Sequence, residues 1–224
     1  MSTGPTVVVA PESELEDLLA YLPRRKGIEY EKNQVVYHSD QLSTDIYLVV
    51  NGKVKVSRMR DTGQQVVVDI YQRDELFGES AFLDLPRSEQ ARALEKTTLM
   101  NWTVAEIEEI VMQRPRLGIA MLQVLARRAI DFGHRIESLS METTARRLAR
   151  SLIRLSERLG TPHDDGSVRM IPFTHELLSE YVGTSREVVT VHMNQFRRQG
   201  YLQYSRKGIM LHAHAFSDWF RPTD

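Results

Sequence analysis

The chain of 224 residues contains no cysteine. That excludes disulfide staples, a thiolate nucleophile and a cysteine-ligated iron–sulfur cluster. No apolar run approaches the ~20 residues a membrane span requires, and the first residues lack the basic-then-apolar pattern of a secretion leader. These absences lead us to expect a cytoplasmic protein. No serine elbow and no phosphate-binding loop is present, so the common signatures of hydrolases are missing. Net charge is scarce as well, with 29 Lys/Arg against 30 Asp/Glu. There is no internal repeat and no low-complexity segment.

The chain does have an ordinary globular composition, 42% apolar and 26% charged, at a length that allows two domains with separate cores. Its charge is unevenly spread. Residues 141–224 carry 12 Lys/Arg and 9 Asp/Glu, whereas residues 1–140 carry 17 and 21. Within 184–207 five basic residues face the single acidic Glu187. A local positive patch is what contact with phosphates needs, whatever the total.

That patch coincides with IPFTHELLSEYVGTSREVVTVHMNQFRRQG over 171–200, which reads as two short helices and a tight turn. Thr174 caps the first, over His175 to Tyr181, and Val182-Gly183 supplies the turn. Thr184-Ser185-Arg186-Glu187 has capping-box spacing and is expected to start the second, with Gly200 closing it. Val189, His192, Met193 and Phe196 form its inward face. Ser185, Arg186, Glu187, Thr190, Val191 and Asn194 lie along the other side, the row that a helix-turn-helix lays into a DNA major groove. Arginine can bridge guanine, glutamate can accept from cytosine N4, and valine can touch a thymine methyl. Tyr201–Tyr204 and Ile209–His214 then read as strands of a wing tipped by Arg206 and Lys207, suited to phosphate contact.

Upstream, Ser13 to Tyr21 reads as a short capped helix after a loose tail over 1–10. From Gly27 to about Trp102 the texture is β: runs at Gln34–Tyr37, Asp45–Val50, Lys53–Arg58 and Gln65–Tyr71. Asn51-Gly52 signals a tight hairpin and Asp61-Thr62-Gly63 a second turn. Many short strands predict a small antiparallel barrel or jelly roll. Val104 to Met112 is a short helix, and after Pro115 a long one runs from about Arg116 to Leu139. In it Ile119, Leu122, Ala126, Ala129, Gly133, Ile136 and Ser140 alternate steps of three and four, a heptad seam with small residues at its middle. We expect a parallel homodimer through this seam, a hinge near Ser140, a further amphipathic helix over Thr143–Leu159, and a loop over Gly160 to Gly166. The fold class is α+β. A β-barrel sensor domain with its N-terminal helix takes 1–114, the dimerisation helix and hinge 115–140, and the winged helix-turn-helix domain 141–224.

This order of parts resembles the CRP/FNR family of bacterial transcription regulators across nearly the whole chain. The most specific pieces are IYLVVNGKVKVSR (46–58), LFGESAFLDLPRS (76–88), ALEKTTL (93–99) and VGTSREVVTVHMNQFRRQGYL (182–202). The resemblance implies a regulator that pairs as a homodimer on palindromic double-stranded DNA, with RNA polymerase as a further partner. Arg186 and Glu187 match the family's base-reading pair, and Val191 replaces its usual third reader, an arginine. The resemblance also implies an effector pocket. Gly78-Glu79 and Arg87-Ser88 match the cyclic-nucleotide motif, in which arginine and serine hold the phosphate and glutamate accepts from the ribose. Two positions depart from it. Glu89 places an anion beside the phosphate position, and Phe132-Gly133 stand where adenine-binding members carry Thr-Ser. Cyclic AMP, another nucleotide, a different small molecule and no effector all stay open.

Three other readings compete with this one. A haem sensor needs only a histidine such as His38 or His134, but both read as surface or boundary residues. A cyclic-nucleotide signalling module whose C-terminal domain binds protein is opposed by the basic wing. A metal-dependent enzyme would have to draw on His212 and His214 with His163, Asp164 and Asp165. Those pairs lie in separate segments, short of the three or four convergent ligands a site needs. No catalytic and no metal-binding residue is assigned.

Overall fold

The computed structural model describes residues 18–59, 63–212, Phe216 and Phe220. The tail over 1–10, the start of the helix expected from Ser13, the Asp61-Thr62 part of the second turn and His214 lie outside the described residues. What is described of that first helix is a short 3-10 turn over Leu18–Ala20, which buries Leu18.

The β-rich region folds into eight strands: β1 Ile28–Tyr30, β2 Val35–Tyr37, β3 Asp45–Asn51, β4 Lys53–Met59, β5 Gln65–Gln72, β6 Leu76–Phe77, β7 Gln90–Ala93 and β8 Thr97–Thr103. They form two antiparallel sheets, β1-β8-β3-β6 and β2-β7-β4-β5. Alternating side chains from both faces meet in a core of Tyr37, Val49, Val54, Val56, Tyr71, Phe77, Ala91 and Leu99. One expectation fails here. Asn51-Gly52 is not a hairpin, because β3 and β4 belong to different sheets. It is the corner between them. Gly52 sits at φ +87, where a Cβ would lie 2.4 Å from the Thr97 hydroxyl. A corner and a two-residue hairpin both need positive φ, so the dipeptide specifies the bend but not which strands pair.

Thr103 and Glu106 form a reciprocal capping box at the start of α1, Val104–Gln113. Helix α2, Arg116–Met141, carries two apolar stripes. Leu117 and Ala120 are buried against the barrel's second core with Ile46, Trp102 and Ile107. Every member of the seam on the other side is exposed, Leu122 by 63% and Ile136 by 64%. The chain breaks at Glu142-Thr143, and Thr143 caps α3, Thr144–Leu159.

The C-terminal half adds β9 Thr161–Pro162, β10 Val168–Met170, α4 His175–Val182, α5 Arg186–Arg198, β11 Leu202–Ser205 and β12 Gly208–Leu211. The wing is therefore part of a four-stranded sheet, β11-β12-β10-β9, and β9 and β10 were not expected. Val168–Met170 is too short and too mixed in polarity to show a period.

The two halves share one apolar cluster. Val67 and Ile70 of β5 pack with Leu148, Leu152 and Leu155 of α3 and Leu178, Tyr181 and Val182 of α4. Charges close over the seam. The Arg158 guanidinium lies 2.7 Å from Asp69 and 3.0 Å from Glu75, and Lys55 lies 2.9 Å from Glu180. Arg135 of α2 donates to the carbonyls of Val67, Val68 and Tyr181 and lies over the Tyr181 ring.

Candidate nucleic-acid interface and effector pocket

Local chemistry sets α4 and α5. The Thr174 hydroxyl accepts from the Leu177 amide at 3.1 Å, and Gly183 ends α4 at φ +75. The second helix starts one residue later than the capping-box spacing predicts. The Thr184 amide still donates to Ser179 O, finishing α4. Ser185, in extended backbone, is the residue whose hydroxyl accepts from Val188. Glu187 consequently falls at the second helical position and cannot close a box. Its own amide and the Ser185 hydroxyl stabilise the carboxylate and lower its pKa. At the far end Gly200 N–H bonds Arg197 O and Tyr201 N–H bonds Phe196 O, a complete Schellman motif.

Val189, Met193 and Phe196 are fully buried and His192 is half-buried, so the inward face is the expected one. Outward, Arg186 and Glu187 are exposed, and the Arg186 guanidinium makes no hydrogen bond or ion pair among the described residues. Val191 is 61% exposed on the same side and offers an apolar surface there. Thr190 and Asn194 are half-buried and tied to neighbours. The Thr190 hydroxyl donates to Arg186 O and contacts His175 Nδ1, both at 2.8 Å. Asn194 Oδ1 accepts from Arg197 and Tyr204. Arg206 and Lys207 are exposed at the wing turn between Ser205 and Gly208. Arg186, Glu187, Thr190, Val191 and Asn194 thus share the outward side of α5, and Tyr204 ties the wing strand to it through Asn194. The structure adds His175 and Tyr204, whose bonds to that set span residues too far apart in sequence to be read from spacing.

The pocket residues also converge, but on one another. Arg87 is only 2% exposed. Its guanidinium donates to Asp45 O at 2.6 Å and Ser80 Oγ at 3.2 Å, faces Gly78 O at 3.4 Å, and stacks on Tyr37 at 3.9 Å. Gly78 is at φ +89, where a Cβ would meet Arg87 Nη1 at 3.2 Å. The glycine therefore makes room for the arginine itself. Ser88 Oγ and Ser80 Oγ both donate to the Glu89 carboxylate, at 2.8 and 3.0 Å. Glu79 pairs with Arg128 of α2 at 3.0 Å, and the crevice beside them holds about 20 Å³, room for one water. Burial and nearby acids push the Tyr47 hydroxyl up to about 12 and that of Tyr37 higher, so these rings stay neutral fillers. Phe132 is half-buried and Gly133 exposed on α2, with no hydrogen bond or ion pair to this cluster among the described residues. His38 and His134 are both exposed.

Comparison with known proteins agrees with this layout. Residues 28–114 match the cyclic nucleotide-binding domain and residues 146–215 the Crp-like helix-turn-helix domain. The chain belongs to the CRP/FNR family of transcription regulators. Among relatives of this CRP/FNR chain, the CRP-like cAMP-activated global transcriptional regulator of Mycobacterium tuberculosis is 24% identical over 87% of both chains. The cyclic AMP receptor protein of Thermus thermophilus is 28% identical over 86% of this chain and 84% of its own. The structure of FixK2 from Bradyrhizobium japonicum superposes with a TM-score of 0.76 at 18% identity, over 88% of this chain and 98% of that one. Among the described residues of this CRP/FNR chain, no helix is long and apolar enough to cross a membrane.

Proposed function

We propose that this regulator binds a two-fold symmetric operator as a homodimer, with α5 in the major groove and the wing on the flanking phosphates. The observation that carries the reading is the exposed Arg186, without a hydrogen bond or ion pair from its guanidinium among the described residues, on a capped helix followed by the basic wing. The Crp-like helix-turn-helix match disfavours the alternative of a protein-binding tail. Arg186 reads guanine and Glu187 the facing cytosine, while Val191 offers only apolar contact, which suits a thymine methyl. Mobility shifts at fixed salt test this. Arg186→Ala is expected to cost about 1–3 kcal/mol on the operator and little on random DNA. Lys207→Ala is expected to weaken all sequences alike and reduce the salt slope by about one.

We infer further that the barrel does not take a cyclic nucleotide, although the Mycobacterium relative is named as cAMP-activated. A cyclic phosphate needs a free guanidinium and a free hydroxyl. Here Arg87 is spent on backbone carbonyls, and Ser88 donates to Glu89, whose carboxylate takes up the hydroxyl a phosphate would need. Binding would have to break these part-buried bonds and bring a second negative charge beside Glu89. The operator is therefore bound at full strength without added nucleotide. Calorimetric titration with cyclic AMP is expected to show no saturable heat and no change in melting temperature. Saturable binding abolished by Arg87→Ala would overturn this part of the reading alone.

A further inference from the structure

The geometry points to Tyr204 and Arg197 as the residues that decide which base Asn194 accepts, by turning its amide into a donor-only reader. The inference rests on the DNA-binding reading above. Asn194 lies one turn beyond Thr190 on the groove-facing side of α5. Arginine carries donors and no acceptor, so the Asn194 atom that faces Arg197 Nη2 at 3.0 Å must be the amide oxygen. The same oxygen accepts the Tyr204 hydroxyl at 3.1 Å. A carbonyl oxygen has two lone pairs, and both are taken. Nδ2 makes no hydrogen bond among the described residues and is not fully enclosed, so its two N–H groups are left to donate.

The arrangement is held from several sides. The Arg197 guanidinium lies over the Tyr204 ring at 5.2 Å. The His175 ring meets Tyr204 edge-on at 5.3 Å. The single Thr190 hydroxyl proton goes to Arg186 O, so His175 Nδ1–H is the donor in the other contact. Burial and the Arg186 charge lower the His175 pKa, which keeps the ring neutral.

Asparagine reads adenine by accepting from N6–H while donating to N7. With Oδ1 filled, that bidentate pair cannot form. The Nδ2–H groups suit an edge of acceptors, guanine O6/N7 or thymine O4, and meet the N4 donors of cytosine unfavourably. Tyr204, on the wing strand and acting through Asn194, is thus a positioning residue for sequence choice.

Binding-site selection with the full-length parent, Asn194→Ala and Tyr204→Phe proteins tests this. Asn194→Ala should flatten one position of the half-site and so identify it. At that position the parent should select guanine or thymine. Tyr204→Phe keeps the ring and frees one lone pair, and should raise adenine about tenfold there while leaving the rest of the half-site unchanged. Arg197→Met, which frees the other lone pair, should move preference the same way. Selection of adenine by the parent, or a Tyr204→Phe preference identical to the parent's, overturns the inference. If the parent enriches no sequence at all, the DNA-binding reading itself fails, and that outcome is distinct from both.

Discussion

An Ala129→Glu protein is expected to sediment as a monomer and to bind a full operator about 10²–10⁴ times more weakly than the parent, the size of effect that linking two binding modules produces. Its affinity for a single half-site should be unchanged. The expectation follows from α2, whose 26 residues span about 39 Å. One stripe of that helix is used by its own barrel. The other exposes Ile119, Leu122 and Ile136 around a centre of Ala126, Ala129 and Gly133, small enough for close approach. Among the described residues nothing covers Gly133, where an added Cβ would find no atom within 4 Å. A glutamate at 129 would set two carboxylates against each other across the two-fold axis, and their desolvation has no compensating partner. Sedimentation at several protein concentrations decides the matter, and a variant that stays dimeric means the chains pair elsewhere.

Arg158→Ala is expected to lower stability by about 3–5 kcal/mol, the usual cost of stranding a buried charge. The charge stranded is Asp69, whose side chain is 3% exposed and which sits 2.7 Å from the guanidinium. Glu75, at 29% exposed, loses less because water still reaches it. A denaturant midpoint shift reads the loss. Adding Asp69→Asn should recover part of it, since the uncompensated anion is then gone. If Arg158→Ala unfolds at the parent's midpoint, the clamp contributes nothing.

How much could be read beforehand depended on whether a feature was local. The cap at Thr174, the Gly183 turn and the Gly200 stop are each specified within four or five residues, and all appear as expected. The α5 start slipped by one because Thr184 and Ser185 can both cap, and the choice depends on which amide α4 still needs. Asn51-Gly52 failed for a similar reason, since strand partners are chosen by the whole barrel. The candidate DNA-facing row followed from helical period alone. The pocket did not. Its residue types match a nucleotide site, yet whether Arg87 faces a ligand or Asp45 O is settled by Tyr37, Ser80 and Glu89, which only the fold brings together.

The apolar cluster joining Val67 and Ile70 to α3 and α4 has a consequence for operator architecture. Helices α3 and α4, on which α5 packs, rest on β5 of the same chain, so in the proposed dimer each α5 is carried by its own barrel. One base pair inserted between the half-sites turns the second about a tenth of a revolution away from its reader. Spacer length, more than the identity of the bases within it, then marks which genomic palindromes the proposed dimer can span.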